Sequence, residues 1–228
     1  MSEELPDLSA VNGTTRLSTR LIVLLVSWGL FLIGHYLLRD LLTTALPDPA
    51  ALPSGARTAV RHVFYFTLVD GVVAAGAIAL WVRLGFFPRR DWTPTRGIPG
   101  ALLLGCLTGL VLSALIGAAW HLAGLRFGVH PDPWLMGGNL ASNLYEELTH
   151  RGLLLGALLF ATRRPRLSLL ISSVFFGATH QGYPLWMQAM VAFAGLTFGW
   201  VWLKTRNILA PWVAHCVADA ILDSFLVT

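Results

Sequence analysis

Charge is what this sequence is shortest of. Asp, Glu, Lys and Arg make up only 12% of its residues, while 55% are hydrophobic, and the mean hydropathy is +0.66. A soluble domain carries about 25% charged residues, so a soluble globular fold is excluded and an integral membrane protein is indicated. Cysteine is scarce too. Cys106 and Cys216 both fall in apolar segments, which excludes a disulfide framework or a CxxC metal site and fits two small buried hydrophobes. Several hydrolase signatures are missing: no His-Glu-x-x-His, no Gly-x-Ser-x-Gly elbow and no Gly-x-Gly-Asp. Phosphate loops and Gly-x-Gly-x-x-Gly are absent as well. Residues 1–19 lack the basic start and small-residue cleavage site of a signal peptide and are expected to form a disordered tail.

The remainder, 20–228, is expected to be one integral membrane domain, and no internal repeat is visible. Apolar runs cover Leu21–Leu38, Val63–Leu84, Ile98–Leu125, Gly138–Ala161, Leu167–Gln181, Leu185–Leu203 and Ile208–Val227. This predicts an all-α, polytopic helix bundle of about seven transmembrane helices. Gly105, Gly109 and Gly117 in the third run suit close helix contacts. The net charge of +4 does not point to nucleic acid, because the basic residues sit in short gaps between runs and read as topology signals. Arg16 with Arg20, Arg89–Arg96, Arg163–Arg166 and Lys204–Arg206 follow alternate crossings and share one side. The positive-inside rule then places the N-terminus in the cytoplasm and the C-terminus outside. The short, compact chain suggests a bacterial cytoplasmic membrane. Most of the tryptophans fall near span ends, as an interfacial belt would.

Inside the fourth run lies Asn143-Leu-Tyr-Glu-Glu-Leu-Thr-His-Arg-Gly152. Ionisable groups at membrane depth cost several kcal/mol in total and by default mark function. Glu147 and Arg151 are four apart, acid before base, and are expected to pair on one helix face. Glu146, about 100° round the helix, is thereby left for other work and shares its spacing with His150. His215 and Asp219 are also four apart, and His180 sits near the end of its own run. Glu146, His180, His215 and Asp219 offer N and O donors suited to a zinc-like divalent metal with room for water. The same set serves without metal, with Glu146 as the base for water and the histidines stabilising an oxyanion. Spacing does not choose between them. Asp70 is an intramembrane acid with no partner visible in the sequence and is a candidate for the surroundings of the site, as are His150 and Asn143. His35, His62 and His121 read as hydrogen-bonded packing residues.

At these residues the chain resembles the CPBP family of CAAX-protease and bacteriocin-processing membrane proteins, also called the ABI or type II CAAX prenyl endopeptidase family. Glu146, Glu147 and Arg151 match Glu-Glu-x-x-x-Arg; Phe176 and His180 match Phe-x-x-x-His; His215 and Asp219 match His-x-x-x-Asn/Asp. The span from Gly195 to Asn207 resembles the family's Gly-rich helix and turn, so the resemblance covers about 139–221. It implies an intramembrane endopeptidase, with Glu146 as the base that activates water and Glu147 with Arg151 supporting it. It further implies that His180 positions the water, while His215 and Asp219 face the scissile carbonyl or bind a metal. In two places the chain departs from the family's habit: His150 stands where an aromatic is common, and Asp219 where Asn is frequent. An ionised Asp cannot donate a hydrogen bond, which favours a metal role or a protonated state for Asp219.

The expected activity is hydrolysis of a peptide bond in a membrane-associated substrate: a prenylated CAAX tail, a bacteriocin leader or a sorting anchor. Two readings from other classes use the same buried groups. In one, the chain is a non-catalytic immunity or scaffold protein whose acids and histidines clamp helices together. In the other it is a proton-coupled transporter, with Asp70, Glu146 and His215 as relay groups.

Overall fold

A computed structural model describes residues 17–45, 57, 60, 71–87 and 97–227. Asp70, His62, residues 1–16 of the N-terminal tail and the Arg89–Arg96 cluster lie outside the described residues. The helices are α1 (Leu17–Ala45), α2 (Val72–Arg83), α3 (Ile98–Leu122), α4 (Pro133–Glu147), α5 (Gly156–Thr162), α6 (Pro165–Thr179), α7 (Leu185–Thr205) and α8 (Leu209–Phe225). Between α4 and α5 runs a π-helical segment, Leu148–Leu155. The architecture is all-helical, as the apolar runs predict. It adds a feature they do not show: strands β1 (Arg126–Phe127) and β2 (Leu226–Val227) pair antiparallel and tie the ends of α3 and α8 together.

Local chemistry sets the helix ends. Asp132 caps α4, accepting from the backbone N–H groups of Trp134 (2.9 Å) and Leu135 (3.2 Å), and Pro133 follows at the first helical position. Hence α4 begins at Pro133, five residues before the apolar run. Residues 133–162 form one continuous helix of mixed pitch, and the stretch from Gly138 to Tyr145 is helical throughout. Asn207 caps α8 by accepting from Leu209 N–H at 3.0 Å. Pro165 opens α6 at its first turn.

Among the described residues two helices are long and apolar enough to cross a membrane, α3 with hydropathy 2.2 and α7 with 1.3. The sorting of side chains suits a bilayer. Leu25 (70% exposed), Leu103 (63%), Val174 (57%) and Leu185 (81%) face outward. Asn143, Glu147, Arg151, Ser172 and His215 are buried. With lipid outside, the helices gain little from hiding apolar surface, so close backbone approach and polar contacts must hold them together. Gly105 and Gly109 provide the first. A Cβ at either would lie 2.6 Å from a backbone carbonyl of α8, that of Ala210 or Ala214, and the paired advance of the contacts shows that α3 and α8 run parallel. Gly117 has nothing within 4 Å, so the third glycine does not serve this contact. Nor do all the tryptophans form an interfacial belt: Trp81 (6% exposed) and Trp202 (1%) are core residues.

Candidate active site

The π-helical segment is buried from Thr149 to Leu155, packing against Val23, Ala77 and Trp81 on one side and Trp202 and Leu203 on the other. Its i→i+5 bonding displaces the residues that follow by about one position round the axis, and such bulges recur at functional sites. It starts between Glu146 and His150, so their spacing of four no longer implies a shared face. The His150 ring packs edge-on against Phe176 (4.9 Å between centroids), and its Nδ1 is buried without a partner. Ser172 Oγ donates to the His150 carbonyl at 3.1 Å, satisfying a backbone acceptor in the interrupted ladder.

Glu147 is completely buried, with Oε1 hydrogen-bonded and Oε2 in an ion pair that makes no hydrogen bond. Oε2 lies 3.1 Å from Arg151 Nε, the pairing that the spacing predicts, and Oε1 lies 2.9 Å from His215 Nδ1. A carboxylate only accepts, so His215 carries its proton on Nδ1 and turns Nε2 toward Asp219 Oδ2, at 3.6 Å. That separation is too long for a hydrogen bond. Arg151 is held further by the Gly195 carbonyl (3.3 Å) and by stacking over Phe176, its guanidinium carbon 4.2 Å from the ring centroid. Phe198 stacks on the other partner of Glu147, the His215 ring, with centroids 4.7 Å apart.

Phe176 and His180 meet on α6. The His180 ring lies edge-on to Phe176 (5.1 Å), and its Nδ1 donates to the Phe176 carbonyl at 2.9 Å, leaving Nε2 as a free acceptor. Phe176 is thus the common platform beneath Arg151, His150, His180 and His215. Tyr183, in the turn after α6, stacks over His180 with centroids 5.8 Å apart. Burial, with the charges of Asp223, Asp219 and Glu146 nearby, raises the Tyr183 phenol above its ordinary pKa.

Glu146 is placed differently from its neighbour. Its Oε2 is buried without a hydrogen-bond partner, and the charges of His215, His180, Asp219 and Glu147 act on it. The residues expected at the site therefore surround one locus, but His215 bonds Glu147 and not Glu146. Among the described residues, no group of three or more His, Cys, Asp or Glu side chains is disposed to hold a metal ion. Glu147 holds His215 Nδ1 and the Phe176 carbonyl holds His180 Nδ1, which leaves Nε2 as the second nitrogen of each ring, and Asp219 Oδ2 accepts from Asn143 Nδ2 at 2.8 Å. As arranged, Glu146, His180, His215 and Asp219 are not gathered into the metal set considered from the sequence.

Sequence reasoning passed over Asn139 and Asp223, which bond each other at 2.7 Å. Their signal was present in the spacing: Asn139, Asn143 and Glu147 recur every four residues on α4, as do His215, Asp219 and Asp223 on α8. The two stripes face each other along an antiparallel seam. Cys106 and Cys216 are free thiols, and Cys216 Sγ lies 3.9 Å from Asn143 Nδ2.

A buried carboxylate–imidazole–guanidinium cluster thus lies inside an apolar-faced helical bundle. Residues 128–221 match the family described as Rce1-like, type II CAAX prenyl endopeptidase Rce1-like. Over this segment the chain is similar to the CAAX endopeptidase family that the three motifs resemble, a family of membrane proteases acting on membrane-associated peptides. The segment spans every residue of the cluster. No curated protein matches the chain significantly, and no solved structure does.

Proposed function

We propose that the chain is an intramembrane endopeptidase in which Glu146 activates the attacking water. One observation carries this reading: Glu147 is held by an ion pair with Arg151 and a hydrogen bond with His215, while the buried Oε2 of its neighbour Glu146 has neither. A buried acceptor without a partner is costly and is expected to be met by water or substrate.

In the proposed reaction Glu146 takes a proton from water as the oxygen bonds to the scissile carbonyl carbon. The carbonyl oxygen gains the negative charge. When the tetrahedral adduct collapses, the C–N bond breaks and Glu146 returns its proton to the leaving amine. His180, its ring fixed by the Phe176 carbonyl, presents Nε2 to orient the water. His215, clamped at Nδ1 by Glu147, faces the carbonyl from α8, much as a buried acid orients the histidine of a catalytic triad. Arg151 holds Glu147 in place and does not touch substrate. No step runs through a metal.

The substrate is a membrane-associated peptide: a prenylated CAAX tail, a bacteriocin leader or a sorting anchor. With about seven spans and a cytoplasmic N-terminus, Glu146 and His180 fall in the outward half of the bilayer. The test is Glu146→Gln in purified, detergent-solubilised full chain, assayed on lipid-tethered peptides. The variant is expected to keep its thermal midpoint and lose cleavage. A variant that unfolds instead makes Glu146 a helix clamp, and one that still cleaves removes it as the base.

A further inference from the structure

The α4–α8 seam has three rungs: Glu147–His215 at 2.9 Å, Asn143–Asp219 at 2.8 Å and Asn139–Asp223 at 2.7 Å. The first belongs to the site already described. The third lies two turns away and bonds nothing in it. The middle rung is the informative one, because the oxygen that Asn143 holds, Asp219 Oδ2, is the atom turned toward His215 Nε2.

We propose that Asn143 is a positioning residue for the reaction: by donating to Asp219 Oδ2 it fixes the carboxylate facing His215 Nε2. The imidazole is then set from both of its nitrogens. This rests on the protease reading and deepens it.

Three features argue for the role. At 3.6 Å the His215–Asp219 contact is too long to hold the carboxylate by itself, and the Asp219 side chain is 30% exposed. Asn143 is the group that restrains it. Asn143 is itself immobile, 2% exposed and pressed against Cys216. Its amide is also the right chemistry, since it donates without charge. An Asp at 143 would set two acids face to face, and a cation there would draw the negative charge of Asp219 away from His215. Groups that orient a reacting histidine from outside its immediate contacts commonly govern activity about 10–100-fold.

Asn139 supplies an internal control, for it makes the same Asn–Asp bond between the same two helices without touching His215. Asn143→Ala and Asn139→Ala are to be compared in the full chain for thermal midpoint, kcat and KM on a lipid-tethered peptide. Positioning predicts similar midpoints, a kcat lowered about tenfold or more for Asn143→Ala alone, and KM nearly unchanged. Equal losses of kcat, or none, overturn it. Should Asn143→Ala fail to fold, Asn143→Leu keeps the volume and removes the donor without adding charge. A spectroscopic readout stands apart from activity: the His215 ring-nitrogen resonances, assigned with His215→Gln, are expected to shift in Asn143→Ala and not in Asn139→Ala. A wild-type chain that cleaves no peptide sinks the protease reading alone. The resonances then still decide whether Asn143 sets the ring, and identical spectra reject it.

Discussion

His215 Nδ1 and Glu147 Oε1 lie 2.9 Å apart, joining α8 to the end of α4 across a fully buried contact. Arg151 Nε stands 3.1 Å from the other oxygen of the same carboxylate. Glu147 is therefore the structural member of the glutamate pair, and the two acids should respond differently to the same change. Glu147→Gln leaves Arg151 buried without its counter-charge, and breaking a buried pair costs about 3–5 kcal/mol. Thermal unfolding in detergent is expected to show a large drop for Glu147→Gln and almost none for Glu146→Gln, although both abolish cleavage. Equal midpoints would mean that the two carboxylates share one role.

Arg151→Lys tests whether the cation is chosen for geometry or for charge. The guanidinium reaches Glu147 with Nε, the Gly195 carbonyl with a terminal nitrogen at 3.3 Å, and the Phe176 face at 4.2 Å, all at once. An ammonium keeps the charge but has neither the fork nor the plane. The variant is expected to lose about 1–3 kcal/mol by analogy with a buried group left without its hydrogen-bond partner. Wild-type stability in Arg151→Lys would show that charge alone suffices.

Much of this was legible in the sequence, and the reason differs from place to place. Glu147 with Arg151, and His215 with Asp219, are local contacts of a single helix, so the four-residue spacing carries them. Pro133, Pro165 and Pro184 mark the helix starts through their missing N–H, although the apolar runs alone placed the first two later, at Gly138 and Leu167. The π-helical turn carries no comparable signature in Leu148–Leu155, and it cancelled the expected Glu146–His150 alignment. The Glu147–His215 bond joins residues 68 apart in sequence. It depends on how α8 is registered against α4, which no single-helix pattern encodes, although the repeat of polar residues on both helices shows after the fact where the seam lies. Three glycines of one run looked alike in sequence; only the position of α8 separates Gly105 and Gly109 from Gly117.

That difference is open to measurement. At Gly109 an added Cβ would meet the Ala214 carbonyl at 2.6 Å and Val217 Cβ at 2.7 Å, and a backbone carbonyl cannot rotate away as a side chain can. Gly109→Ala is expected to push α3 from α8 and to cost about 1–3 kcal/mol, the usual range for overpacking. Gly117→Ala meets open space and, by exchanging glycine for a better helix former, is expected to be neutral or stabilising by up to about 1 kcal/mol. Unfolding midpoints of the two variants, measured side by side in one detergent, decide the matter. If the two lose stability equally, the α3–α8 contact is not as close as described.

Metal dependence can be tested on the same preparation. His215 and His180 each keep Nε2 for other partners, their Nδ1 atoms being held by Glu147 and the Phe176 carbonyl, while one Asp219 oxygen is taken by Asn143. Capturing an ion would require the remaining lone pairs to converge, and among the described residues no three such side chains do so. Cleavage by the full chain is therefore expected to survive prolonged dialysis against a strong chelator, and addition of zinc should give no gain. Activity that disappears on chelation and returns with stoichiometric zinc would show that His180, His215 and Asp219 rearrange around an ion. In that case, Asn143→Ala should also alter zinc affinity, because the Asp219 oxygen it restrains would be among the ligands.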